Sequence, residues 1–177
     1  MDPLFHRSHF PFAGCRHVRC CFSPIGVNKL LIRKVNVAIS PTVLPVVAAT
    51  LIDDGGRVLL QKRPENRMHG GLWEFPGGKV EPCEKAADAL ARELEEELGI
   101  TLDPGAIAPV GFADAPLEPR NLILLLYACT AWEGAPHPRE EGAAIGWFAP
   151  ATVAELDLAP ADRQLLPALI RFLAAGA

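Results

Sequence analysis

The sequence predicts an α/β sandwich of the α+β kind, with a mixed sheet packed between helices. Two observations carry this: short β-branched and aliphatic runs recur along the chain, and two longer stretches have a helical period. At 177 residues, 50% of them hydrophobic, the chain can bury one sizeable core, and no internal repeat or second domain is visible. A single domain is expected over residues 41–177.

Residues 43–52 form a near-continuous aliphatic run, Asp53-Asp54-Gly55-Gly56 is turn chemistry, and residues 57–61 resume as a strand. A hairpin is therefore expected. Residues 64–72 read as a loop that leads through Trp73-Glu74-Phe75-Pro76-Gly77-Gly78 into a helix expected over 82–98. Pro82 suits a first helical turn, Glu81 and Glu84 put negative charge at its positive end, and Gly99 can take the left-handed conformation that ends it. Residues 110–113 and 122–130 read as strands separated by a loop at 116–120, and 145–148 as a last short strand. Leu165, Leu166, Leu169, Ile170 and Leu173 give residues 162–173 the period of an amphipathic closing helix, with Pro160 and Asp162 at its start. Pro167 is tolerable near the beginning of that helix.

The first helix carries the chemistry. At about 100° per residue, Ala87, Ala91, Leu94 and Leu98 make an apolar stripe, and Glu93, Glu96 and Glu97 make a narrow acidic arc beside it. Glu95 lies off the arc. At roughly 6 Å and an effective dielectric near 20, each carboxylate pair costs on the order of 2–3 kcal/mol, so a cation is expected there. Hard oxygen ligands favour Mg²⁺, or Mn²⁺, over zinc. A solvated acidic face is the competing reading.

The spacing Gly78, five residues, Glu84, seven residues, then Arg92-Glu93-Leu94-Glu95-Glu96-Glu97-Leu98-Gly99-Ile100 resembles the signature of the Nudix hydrolases at every fixed position. An accidental full match has odds of roughly one in a million. Within that superfamily the chain is most similar to the MutT-like nucleoside triphosphate pyrophosphohydrolases. The likeness rests on Leu59-Leu60-Gln61-Lys62-Arg63, Trp73 to Lys79, Trp132-Glu133-Gly134, Glu141-Gly142 and Trp147, and runs from about Val43 to the C-terminus. It implies a Nudix-type α/β/α sandwich and hydrolysis of a nucleoside triphosphate to a monophosphate and pyrophosphate. Within that activity it points to the 8-oxo-dGTP diphosphatase type, which serves nucleotide-pool sanitation and DNA repair.

The same resemblance implies roles for residues. Glu93, Glu96 and Glu97 become metal ligands with the Gly77 carbonyl, and Arg92 orients the glutamates, with Glu84 in support. Glu141 occupies the place of a loop glutamate that binds metal or serves as general base; Glu93 is the other base candidate, and Glu140 is the neighbour of Glu141. Arg63 matches an arginine that reaches the phosphates and Arg120 one near the nucleotide, with surface solvation the alternative for each; Phe75 or Trp73 is a candidate to pack near the base, with a core aromatic the alternative. Pro160-Ala161-Asp162 stands where MutT enzymes carry a Pro-Ala-Asn that reads an oxidised guanine. An ionised Asp only accepts hydrogen bonds where Asn both donates and accepts, so cytosine nucleotides stay open as substrates. Asp162 as an N-cap is the alternative role. Other nucleoside diphosphate derivatives (dinucleoside polyphosphates, nucleotide sugars) and a nucleotide-sensing module without catalysis are the competing functions.

Charge and cysteines bound the setting. Residues 1–40 hold six Lys and Arg against one acid, +5, and the rest holds eleven against twenty, −9. An acidic body argues against stable nucleic-acid binding. The apolar run 122–128 is far short of the roughly 20 residues needed to span a bilayer. Five cysteines, an odd number without C-x-x-C spacing, fit reduced thiols in a cytoplasm. A monomer or small homo-oligomer is expected. Residues 1–40 are expected to be a disordered extension or the product of a misplaced start, because a transit peptide would show an amphipathic period. The spacing of Cys15, Cys20 and Cys21 with His6, His9 and His17 matches no metal site.

Overall fold

The computed structural model describes Val43–Gly176, so the expectations for residues 1–40 fall outside the described residues. Its centre is β1 (Val43–Leu51), the most apolar strand. Antiparallel β4 (Gly77–Lys79) lies on one side of it, and parallel β6 (Arg120–Cys129) on the other, with β5 (Ala108–Leu117) antiparallel to β6 at the edge. A second, antiparallel sheet has the order β3 (Trp73–Glu74), β2 (Val58–Lys62), β7 (Ala144–Phe148). Three helices complete the fold: α1 (Ala86–Leu98), α2 (Pro150–Val153) and α3 (Pro160–Ala174).

The period-two alternation of β1 divides the core. Val47, Ala49 and Leu51 face Leu90, Leu94 and Leu98 of α1, and Ala48 joins Leu124 and Leu126 against Leu165 and Leu169 of α3. Each face of β1 is thus sealed by a helix, as the sandwich requires. Leu94 is fully buried, so truncating it to Ala costs about 2–5 kcal/mol.

The expected hairpin is corrected. Asp53 N–H donates to the Arg57 carbonyl at 3.0 Å, so the turn forms. Beyond a single bridge between Ile52 and Val58, however, the strands part into different sheets. The reason is that β4 and β6 pair with both edges of β1 and leave no row of backbone groups for β2. The helix expected from residue 82 begins at Ala86. Before it, Cys83 has φ +68 and the Glu84 carboxylate accepts the Glu81 N–H at 2.9 Å, which makes a separate turn of residues 81–84. Gly99 ends α1 with φ +68, as its sequence position suggests.

The loop expected at 116–120 shrinks to a tight turn, because β5 extends to Leu117 and pairs it with Arg120. Strand β4 and helix α2 had no sequence signal of their own. Among the described residues no helix is long and apolar enough to cross a membrane.

Candidate functional site

Helix α1 lays its acidic arc against β4. The Gly77 N–H donates to Glu97 Oε2 at 3.1 Å, and a Cβ added to Gly78 would lie 2.2 Å from the Glu93 carboxyl carbon. A side chain at Gly78 would therefore push that carboxylate out of place. A Cβ at Gly77, whose φ is +150, would stand 2.1 Å from the Val47 carbonyl oxygen, so glycine is required where β4 meets β1.

Arg92 binds its carboxylates as a fork. Nε and Nη2 donate to the two oxygens of Glu84, each at 3.0 Å, and Nη1 donates to Glu93 Oε1 at 2.9 Å. Nη2 also reaches the Lys79 carbonyl at 3.1 Å. These bonds, above all that to Glu84, raise the guanidinium pKa and hold the Glu84 carboxyl below its ordinary range. Arg92 thus fixes the orientation of Glu93 and ties α1 to the turn and strand before it. Glu96 is mostly exposed, with its nearest oxygen 3.7 Å from Arg92.

Glu97 is half-buried, and burial pushes its carboxyl up to about 7 against the hydrogen bond from Gly77; the charges of Glu74, Glu93 and Glu140 push the same way. Glu74 on β3 is raised too, chiefly by burial, although Arg63 Nη1 donates to both of its oxygens at 2.8 and 2.6 Å. Glu93, Glu74 and Glu140 each have an arginine partner, in Arg92, Arg63 and Arg67, whereas among the described residues Glu97 is met only by the Gly77 N–H. As the side chains stand, no three carboxylate, imidazole or thiol groups among the described residues are close enough to grip an ion together. The donor set nevertheless fits a hard divalent cation: Glu93, Glu97 and the Gly77 carbonyl are all oxygen, Glu96 is one turn along, and Glu97 has no arginine among the described residues to meet its charge.

Beside this corner lies a cavity of about 570 Å³ with an apolar wall that includes Leu44, Leu117 and Leu122. Arg63, Phe75 and Asp162 also line it, so the structure brings these three together next to Gly77 and Gly78. Phe75 is buried and its N–H donates to Asp162 Oδ1 at 2.8 Å. Asp162 is not the N-cap of α3, a position held by Ala159; it sits in the first turn, 5% exposed, its carboxyl pushed up to about 7 chiefly by burial. Arg63 is anchored by Nε to the Met68 carbonyl at 2.8 Å as well as by Glu74.

Two residues are not brought in as expected. Arg120 opens β6 at the turn from β5, where the cavity wall is made by Leu117 and Leu122. Glu141 is exposed, and the loop carboxylate whose charge reaches both Glu74 and Glu97 is its neighbour Glu140. Sequence reasoning missed Glu74 and Arg67, and named Glu140 only as the neighbour of Glu141. Glu74 faces Gln61 across the β2–β3 pairing, and Arg67 donates to Glu140 from 73 residues away. Neither contact has a local signal.

A family model described as the NUDIX domain matches residues 42–169. The CTP pyrophosphohydrolase of Escherichia coli K12 is 38% identical over 129 residues, 73% of this chain and 93% of the relative. The 8-oxo-dGTP diphosphatase of Proteus vulgaris is 32% identical over 103 residues, 58% of this chain and 90% of the relative. Among solved structures, that of the E. coli ORF135 protein is 37% identical with a TM-score of 0.67, covering 76% of this chain and 94% of that one.

Proposed function

The chain belongs to the NUDIX family of pyrophosphohydrolases, and from that premise we propose that it hydrolyses nucleoside triphosphates to a monophosphate and pyrophosphate. The observation that carries this is the position of Gly77 and Gly78, which meet the Glu97 and Glu93 carboxylates of α1 and also line a cavity of nucleoside size with Phe75 and Asp162. Glu93, Glu97, Glu96 and the Gly77 carbonyl would hold Mg²⁺. When bound, that ion neutralises phosphate oxygens and aligns them for in-line attack by water.

The protein's own groups do the rest. Arg92 keeps Glu93 turned toward β4, and Arg63, at the cavity wall, is placed to meet phosphate oxygens once they compete with Glu74. Phe75 and the apolar wall exclude water from the base. Asp162, fixed through Phe75, offers its carboxyl to amino or ring N–H groups of the base. An oxidised guanine, which carries an added ring N–H, suits that acceptor, and a sanitising role on the nucleotide pool follows. CTP is the second reading, favoured by the exocyclic amino group of cytosine and by the relative named as a CTP pyrophosphohydrolase. We assign the activity to residues 41–177, so a chain starting at residue 41 is expected to match the turnover of the whole sequence.

Pyrophosphate release with Mg²⁺, measured across unmodified and 8-oxo nucleoside triphosphates, tests the proposal. Release from at least one of them, with 8-oxo-dGTP or CTP leading, is expected. No release from any, together with thermal stabilisation by a nucleotide, would make the chain a sensor instead.

A further inference from the structure

Among the described residues two buried side-chain oxygens have no hydrogen-bond partner, Thr50 Oγ1 and Gln61 Oε1. Their surroundings differ. Thr50 is two residues from Ala48 on β1, so it points to the apolar cluster that packs on α3. Gln61 is 3% exposed and belongs to the other side of the core. Leu59, two residues before it on β2, packs with Leu94 and Leu98 of α1, and Ile145, its partner on β7, joins the same cluster. Alternation along the strand and the pairing across it therefore put the Gln61 side chain on the face that looks at α1.

Acidic groups meet on that face. Glu74 stands directly opposite Gln61 in the β2–β3 pairing, so the two side chains leave the sheet together. Three residues beyond Glu74, the Gly77 N–H holds the carboxylate of Glu97, the neighbour of Leu98 in α1. Glu74 lines the large cavity and Gln61 does not, so Gln61 is withdrawn from a base or phosphate held there. The nearby donors are engaged: Arg63 gives Nη1 to Glu74 and Nε to the Met68 carbonyl, and the Gly77 N–H goes to Glu97. An amide carbonyl left buried and unpaired disfavours the fold, so a donor from outside the chain is what would complete it. A hydrated Mg²⁺ brings such donors, because it keeps several of its waters. We propose that Gln61 is a positioning residue of the metal site, whose side-chain carbonyl accepts a hydrogen bond from a water in the hydration shell of the divalent ion held by Glu93, Glu97 and the Gly77 carbonyl. It adds an oxygen from β2 to a site otherwise built from α1 and β4, without adding negative charge. The inference rests on the metal site of the proposed function and not on the choice of nucleotide.

Mn²⁺ binding without nucleotide, read from the loss of the free ion's electron spin resonance signal, tests this. Gln61→Met keeps the length of the side chain without its carbonyl and should weaken Mn²⁺ binding about tenfold, as loss of a group that orients a metal's ligands does. Gln61→Glu keeps an oxygen acceptor in place and should bind Mn²⁺ at least as tightly as the unaltered protein. The number of waters on bound Mn²⁺, counted by electron-nuclear double resonance, should be the same in Gln61→Met as in the unaltered protein; one more would make Gln61 a direct ligand and overturn the role through water. Unchanged affinity in Gln61→Met, or an equal loss in Gln61→Glu, would overturn the inference, since a side chain that merely packs or holds a trapped water gives those results.

Melting temperatures give a second reading. Without divalent ions Gln61→Met should melt at the temperature of the unaltered protein or up to about 6 °C above it, because an apolar side chain of similar shape removes the unpaired acceptor. A variant that melts lower would show Gln61 bonded within the protein, against the inference. At one Mn²⁺ concentration well above both Kd values, the ion should raise the melting temperature of the unaltered protein more than that of Gln61→Met, and an equal rise would overturn the role. If the unaltered protein binds Mn²⁺ but releases pyrophosphate from no nucleotide, the substrate reading fails and these affinities still decide the role of Gln61. If it binds no Mn²⁺, the inference falls with the metal site.

Discussion

Gly77 and Glu97 meet across 20 residues of chain, whereas Phe75 and Asp162 meet across 87. The acidic corner is one helix folded back on the strand before it. The cavity lined by Phe75 and Asp162 draws on β1, β5, β6 and the start of α3, and exists only when both sheets and the closing helix are in place. The difference teaches how each region should respond to change. The corner is dominated by charge and close backbone approach, so changes of single atoms there should alter turnover. The cavity is dominated by packing around one held carboxylate, so changes there should shift preference among bases more than rate.

The sharpest break of this contrast is in the corner. Glu97→Gln, and separately Glu93→Gln, should each lower turnover at least about a hundredfold while circular dichroism stays that of the folded protein. Near-normal rates would show that the arc is only a solvated face. Gly78→Ala comes next, expected to cost about thirtyfold in kcat, because its methyl would displace the Glu93 carboxyl 2.2 Å away. In the cavity, Asp162→Asn should change the kcat/KM ratio of 8-oxo-dGTP to CTP by about tenfold and leave the faster rate within about threefold. An equal loss on both nucleotides would mean that Asp162 serves only to hold Phe75.

The smallest effect concerns stability. Burial raises Glu97 from 4.5, and Asp162 from 3.8, to about 7 in the folded chain. A carboxyl raised on folding contributes stability that is present below its unfolded pKa and lost as pH climbs through the folded value. Without divalent ions the protein should therefore lose on the order of 1–3 kcal/mol for Glu97 between about pH 4.5 and 7.5, half-exposure discounting the upper figure. Glu97→Gln should flatten that part of the profile, which melting curves across the pH range would read directly.

The box was legible because its requirements are local. Helical period alone puts Glu93, Glu96 and Glu97 on one arc, the Gly99 cap ends the helix where the pattern stops, and the Gly77-Gly78 spacing anticipates the backbone approach seen in β4. The same local reasoning misjudged the first two strands. A turn sequence dictates reversal, but whether the strands then pair depends on which edges are already taken, and β4 and β6 take both edges of β1.

By itself the sequence determined the family, the metal-ready carboxylates and the reaction class, since each depends on residue types at fixed short spacing along one helix and its approach. Tertiary structure decided that Glu140 rather than Glu141 pairs with Arg67, that Arg63 answers Glu74, and that Asp162 is held by the Phe75 amide instead of capping its own helix. Those assignments turn on which loops start at the same end of a sheet and on how much water each carboxyl keeps. Both are properties of the assembled core, where distant residues become neighbours and the solvent is removed.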